Sequence, residues 1–295
     1  MDPRSDVQSA DGIPVRSNVA QLEDSTPNAV ERRRWNDAYW TSTWPVREQL
    51  TGSATPALLA RLDPAPGERV LDIGSGAGTV AMAVARAVAP TGEVVGADVS
   101  EPLVELARRS ASDAGVDNVR FVVVDVQLDR VDGAPFTAAM SQFGVMFFDD
   151  PVAAFANVRA HLEPGARFVF VCWQKADRNP WFAGHALRDL LPPPDPPAPG
   201  RHVAGPFALG PPGEAESLLE AAGWHEVTVE AISSRAVVSR KAIADDGQAA
   251  FMGVAAERLD EAREAMDAQL APFELPDGRL DVPIAFYVVT AHAPR

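Results

Sequence analysis

Cysteine is nearly absent: Cys172 is the only one in 295 residues, so no intrachain disulfide can form. A reducing, cytoplasmic setting is expected from this. One cysteine and five scattered histidines do not make a zinc site, and no metal is expected. Lysine is almost missing too, with only Lys175 and Lys241, and the basic positions are mostly arginine. Positive charge is in deficit overall, giving a formal net charge of −15. Such a chain has no general attraction to phosphate backbones or anionic membrane surfaces, so neither nucleic acid nor membrane is expected as a partner. No apolar run approaches the length of a membrane helix. The start, Met-Asp-Pro-Arg-Ser-Asp, has no hydrophobic region behind it, which predicts no signal peptide. Hydrophobic residues make up 46% and charged residues 23%, the balance of an ordinary globular protein with a substantial core.

Residues 1–28 are polar and aperiodic and read as a flexible arm ahead of one domain over 29–295. Over 28–50, Trp35, Tyr39, Trp40 and Trp44 fall at helical spacings, which predicts a helix with an aromatic face. A second helix is predicted over 55–62. Strands at 69–73, 93–97, 119–124, 136–143 and 167–173 then alternate with helices at 79–88, 101–114 and 151–162. That alternation predicts an α/β fold with a parallel, doubly wound sheet. Proline and glycine crowd residues 192–213, which predicts a long loop. Beyond it a helix is predicted at 214–222, a strand at 226–232, helices at 241–253 and 255–270, and a last buried strand at 282–291. Asp149 and Asp150 precede Pro151 and suit a helix N-cap.

The first strand runs into Asp72-Ile73-Gly74-Ser75-Gly76-Ala77-Gly78 and opens a helix. Glycines let the backbone approach a ligand closely, and the helix start offers free N–H groups. A dinucleotide loop would read G-x-G-x-x-G, whereas here the spacing is G-x-G-x-G with Thr79 next. Asp72, two residues before Gly74, would repel a pyrophosphate but suits a ligand bearing an ammonium, such as the methionine part of S-adenosylmethionine. Two further acids close strands. Asp98, followed by Val99, can accept from ribose hydroxyls. Asp125 can accept from an adenine amine while the Val126 N–H reaches a ring nitrogen. All three acids lie at the carboxyl ends of strands, where open α/β sheets bind ligands.

These residues resemble the class I S-adenosylmethionine-dependent methyltransferases, and among them the small-molecule group that includes the ubiquinone/menaquinone C-methyltransferases. The likeness covers residues 30–175. It includes Ser141-Gln142-Phe143-Gly144-Val145-Met146-Phe147-Phe148-Asp149-Asp150-Pro151 at the fourth strand, and the stretch from Leu162-Glu163-Pro164-Gly165 to Val171-Cys172-Trp173. Ala166 departs from the two glycines usual there. The resemblance implies seven strands, mostly parallel with the last antiparallel. It assigns Asp72, Gly74, Ser75, Gly76 and Gly78 to the methionine part, Asp98 and Val99 to the ribose, and Asp125 and Val126 to adenine. Ser141 and Gln142 would lie beside the sulfonium. Residues 29–62 would form a lid closing over the cofactor, with Tyr39 and Trp40 toward it.

Methyl transfer asks the protein mainly to align donor and acceptor, so a strong catalytic motif is not required. His185, beyond the fifth strand, is the best acid-base candidate. Trp44, Met146, Trp173, Trp181 and Phe207 are candidates for the acceptor pocket. Segments 175–213 and 233–278 are expected to cap it and select the substrate. The expected reaction is methyl transfer to an oxygen, nitrogen or carbon of a small, largely apolar metabolite. Two other readings stay open: a fold that binds the cofactor but catalyses a cyclisation or rearrangement, and a nicotinamide dinucleotide enzyme, which Asp72 and the loop spacing oppose. A homodimer is compatible with the sequence.

Overall fold

The computed structural model describes residues 28–191 and 202–295. Residues 1–27 of the arm expected over 1–28, and residues 192–201 of the proline-rich loop, lie outside the described residues. Seven strands form one sheet in the order β3-β2-β1-β4-β5-β7-β6. They are β1 (Arg69–Ile73), β2 (Glu93–Asp98), β3 (Val119–Val123), β4 (Phe136–Gln142), β5 (Leu162–Trp173), β6 (His225–Val238) and β7 (Leu280–His292). β1 to β5 run parallel, and β7 inserts antiparallel between β5 and β6. The seven-stranded, doubly wound architecture is the one the sequence predicts. β1 and β2 are short and almost wholly buried apolar runs, as strands covered by helices on both faces must be.

The helices are α1 (Ala29–Trp35), α2 (Ala38–Thr51), α3 (Thr55–Leu62), α4 (Thr79–Val88), α5 (Glu101–Asp113), α6 (Pro151–Ala160), α7 (Glu214–Ala221), α8 (Asp246–Phe251) and α9 (Leu259–Leu270). The α4 face formed by Val80, Ala81, Val84, Ala85 and Val88 is buried, with the period of a helix lying on a sheet. Ser100 caps α5, its Oγ accepting from the Leu103 N–H, and Asp150 caps α6 by accepting from the Ala153 N–H at 3.0 Å.

Four expectations need correction. The predicted helix over 28–50 is two helices, α1 and α2, because Asp37 is extended and caps a new start by accepting from the Tyr39 N–H. Asn28, expected in the arm, is buried and bonded to the sheet. Residues 233–238, expected in the cap, continue β6 as it pairs along β7. Of the helix predicted over 241–253, only α8 forms, capped by Asp245, with a separate turn at Arg240–Ala242.

The strand order reverses between β1 and β4, and the carboxyl ends of β1 to β4 face one cleft there. That is where open α/β sheets bind ligands. α1 and α2 cross the cleft on one side. Residues 181–182, 206 and 242–252 close it on another.

Candidate active site

The cleft has a volume of about 600 Å³. That lies within the ~300–1,000 Å³ usual for small-molecule sites. Its floor is the loop after β1. The Gly74 and Ser75 N–H groups both donate to the Ala97 carbonyl, at 2.8 and 3.1 Å, and the Gly76 N–H donates to Asp98 Oδ2 at 2.8 Å. Gly76 has a positive φ of 53°, and a Cβ there would stand 2.6 Å from Trp44 Cζ2. A side chain would therefore strain the turn and drive the Trp44 ring from its seat. At Gly74 an added Cβ would fall 2.8 Å from the Gly144 Cα, so the β1 and β4 loops touch backbone to backbone.

The three strand-end acids have different surroundings. Asp98 accepts the Gly76 and Ser100 N–H groups, both at 2.8 Å, which offsets part of the burial that raises its pKa. Asp125 accepts Nδ2 of Asn28 at 3.0 Å and the Gln127 N–H at 3.1 Å, again against a rise caused by burial. Asp72 is 2% exposed, and no hydrogen-bond donor meets it among the described residues. Burial and the neighbouring Asp98 charge push its pKa up to about 8. A buried carboxylate beside another, without a donor or a cation, is a costly arrangement unless a cation arrives from outside. The Val126 N–H also has no acceptor among the described residues.

The α1–α2 segment is tied to the sheet by polar contacts at its bend. Ser100 Oγ donates to the Trp35 carbonyl at 2.6 Å, and Asn36 Nδ2 donates to the Val99 carbonyl at 3.1 Å. From α2, Arg47 donates to the Tyr39 hydroxyl and to Asp245 Oδ2, linking α2 to the start of α8. Glu48, held by Trp44 Nε1 at 2.9 Å and the Thr79 hydroxyl at 3.0 Å, reaches the cleft wall, and burial raises its pKa. Aromatic rings form the remaining walls. Trp173 stacks on Phe143 with centroids 4.0 Å apart and meets Trp181 edge-on at 5.2 Å. Trp40 meets Trp35 and Phe251 at 4.8 and 5.4 Å.

Most of the residues expected from sequence converge on this cleft. Asp72, Gly74, Ser75, Asp98, Val99, Asp125, Val126, Gln142 and Trp40 line it, as do Trp44, Met146, Trp173 and Trp181. Six do not. Gly76 and Gly78 shape the loop from behind, Gly78 lying under the Phe121 ring. Ser141 donates its hydroxyl to the Ile73 carbonyl at 2.7 Å and accepts the Gly144 N–H, so it joins β1 to the loop after β4 and does not line the cleft. Tyr39 turns away to Asp245 and stacks on Phe251. Phe207 packs edge-on against Phe182, which itself lines the cleft. His185, the expected acid-base group, bonds through Nε2 to the Ala176 carbonyl at 2.9 Å and does not line the cleft. Sequence reasoning missed Asn28, Arg47, Glu48, Gln248 and Phe251. Arg47 and Glu48 follow Trp44 at three and four residues and share its helix face, a readable signal; the others had none.

Residues 70–165 match the family model described as a methyltransferase domain. Aklanonic acid methyltransferase DauC of Streptomyces sp. (strain C5) is 34% identical over 108 residues, 37% of this chain and 49% of that protein. Demethylmenaquinone methyltransferase of Thermus thermophilus is 39% identical over 109 residues, 37% of this chain and 48% of that protein. The chain thus spans about half the length of these curated relatives. The crystal structure of the YcgJ protein from Bacillus subtilis overlays 83% of this chain and 99% of its own, with a TM-score of 0.56 at 18% identity, which shows a shared fold. Among the described residues no helix is long and apolar enough to cross a membrane, and no cluster of ligating side chains could hold a metal ion.

Proposed function

We propose that this chain binds S-adenosylmethionine in the cleft and transfers its methyl group to an oxygen, nitrogen or carbon of a small, largely apolar metabolite. The observation that carries the reading is Asp72. It is a buried carboxylate beside Asp98, facing the cleft with no donor of its own, and a ligand ammonium would satisfy it. The unengaged Val126 N–H beside Asp125 fits the acceptor and donor pattern of an adenine edge. The residues present therefore fit the cofactor, with Asp72 toward its ammonium, Asp98 toward the ribose, and Asp125 and Val126 toward the base. When bound, the cofactor supplies an electrophilic methyl group on a positively charged sulfur.

The chain's own groups would orient the partners and exclude water. The rings of Trp40, Phe143 and Trp173 give the cleft aromatic walls, which suit a cation and a flat acceptor. Met146, Trp181, Phe182, Phe251 and Met252 line the cleft together and are the candidates for the acceptor side. Two polar atoms there have no partner among the described residues, Trp181 Nε1 and Gln248 Oε1, and those residues are 7% and 9% exposed. One can donate to, and one accept from, a polar group on an otherwise apolar acceptor. The net charge of −15 and the buried thiol of Cys172 support a cytoplasmic enzyme whose partner is a small molecule and not a nucleic acid.

Calorimetric titration of the protein with S-adenosylmethionine and, separately, with nicotinamide dinucleotide tests the cofactor. Binding of the first and not the second is expected; the reverse would sink the reading. Turnover on a metabolite extract should then accumulate S-adenosylhomocysteine. Cofactor binding with product formation but no such accumulation would point to a non-methylating reaction.

A further inference from the structure

Asn28 opens α1 where the lid meets β3. Its backbone is left-handed, with φ 61°, a conformation asparagine tolerates better than most residues. Its N–H donates to Asp149 Oδ2 at 2.7 Å, and its Nδ2 donates to Asp125 Oδ2 at 3.0 Å. The bond to a carboxylate settles which end of the amide is which, because the reverse would set oxygen against oxygen. Oδ1 is left without a partner among the described residues, although Asn28 is only 3% exposed and lines the cleft. A buried acceptor without a donor marks a place where a ligand donor belongs.

We infer that Asn28 and Asp125 form a two-acceptor clamp for the exocyclic amine of a 6-aminopurine. The inference rests on the proposed S-adenosylmethionine site and adds the residue that reads its base. An aromatic amine carries two N–H donors in the ring plane. Asp125 takes one and Asn28 Oδ1 takes the other. A 6-oxopurine presents an acceptor at the same position and would face two acceptors, so the clamp rejects it. Because Asn28 begins α1, one amide both reads the base and holds the lid against β3.

The test is calorimetric titration with S-adenosylhomocysteine, S-inosylhomocysteine and the N6-methyl analogue of the first, on the native protein and on Asn28→Gly. Glycine keeps the left-handed backbone and removes only the amide. The native protein is expected to prefer the adenosyl ligand over the inosyl one. The variant should narrow that ratio about fivefold to tenfold, the value of one hydrogen bond. A purely structural asparagine would weaken both ligands alike, and an unchanged ratio overturns the inference. The native protein supplies a second arm should the variant not fold. A single acceptor tolerates the N6-methyl analogue by turning its methyl aside, whereas two acceptors do not. Equal affinity for the adenosyl and N6-methyl ligands would therefore overturn the clamp. Binding of none of the three would overturn the cofactor reading itself, and the clamp with it.

Discussion

Replacing Asp72 by asparagine should stabilise the free protein and abolish its cofactor site. The folded chain holds the Asp72 proton up to about pH 8, whereas the ordinary value is 3.8. Between those values the folded state binds more protons than the unfolded one. The stability contributed by the neutral carboxyl is thus complete below pH 3.8 and is lost as pH rises toward 8. The slope is about 1.4 kcal/mol per pH unit for each proton. At pH 7 the native protein has crossed 3.2 of those units, from 3.8 to 7, a penalty of about 4 kcal/mol. That figure is an upper bound, because relaxation and water entry soften buried charge. The amide that replaces the carboxyl does not titrate, so the advantage of the variant over the native protein should be small near pH 4 and grow toward pH 8. Urea unfolding of both proteins without ligand, at pH 5, 6, 7 and 8, measures this directly. Titration with S-adenosylmethionine should show the opposite preference, since losing one member of a buried charge pair costs about 3–5 kcal/mol, or a hundredfold or more in affinity. A stability difference that is flat with pH would refute the account of Asp72, and so would a variant that binds the cofactor as tightly as the native protein.

Gly76→Ala should lower stability by about 1–3 kcal/mol, because alanine must adopt a left-handed φ and its Cβ meets Trp44; cofactor affinity should fall with it, both measured on one sample by unfolding with and without ligand. His185→Ala should leave kcat within about twofold and cost about 1 kcal/mol, since its ring bonds a backbone carbonyl outside the cleft; a collapse of kcat with cofactor binding intact would restore it as a catalytic group. Trp181→Phe removes one unpartnered N–H and little apolar area, so acceptor KM should rise about fivefold while cofactor affinity is unchanged.

The sheet and the strand-end floor of the cleft were legible in sequence because both are written locally. Strand and helix periods alternate from residue 69 to 173, and Asp72, Asp98 and Asp125 fall at or just beyond strand ends that a parallel sheet must bring to one edge. The glycines of the β1 loop carry positive φ values that their spacing announces. Ser141 shows where such reading ends: a hydroxyl at a strand terminus serves a ligand or a neighbouring strand equally well, and packing of β4 on β1 gave it to the Ile73 carbonyl. The ring direction of His185 likewise depends on a turn closing on Ala176, which no local pattern announces. Asn28 meets Asp125 across 97 residues, and Tyr39 meets Asp245 across 206. No local pattern encodes such pairs, because they form only when α1, α2, the sheet and α8 arrive together. The sequence by itself determined the fold class, the glycine loop and the row of acids at the strand ends. Tertiary structure alone decided which of those acids is left without a donor, which aromatic rings enclose the cleft, and which residue of α1 meets Asp125.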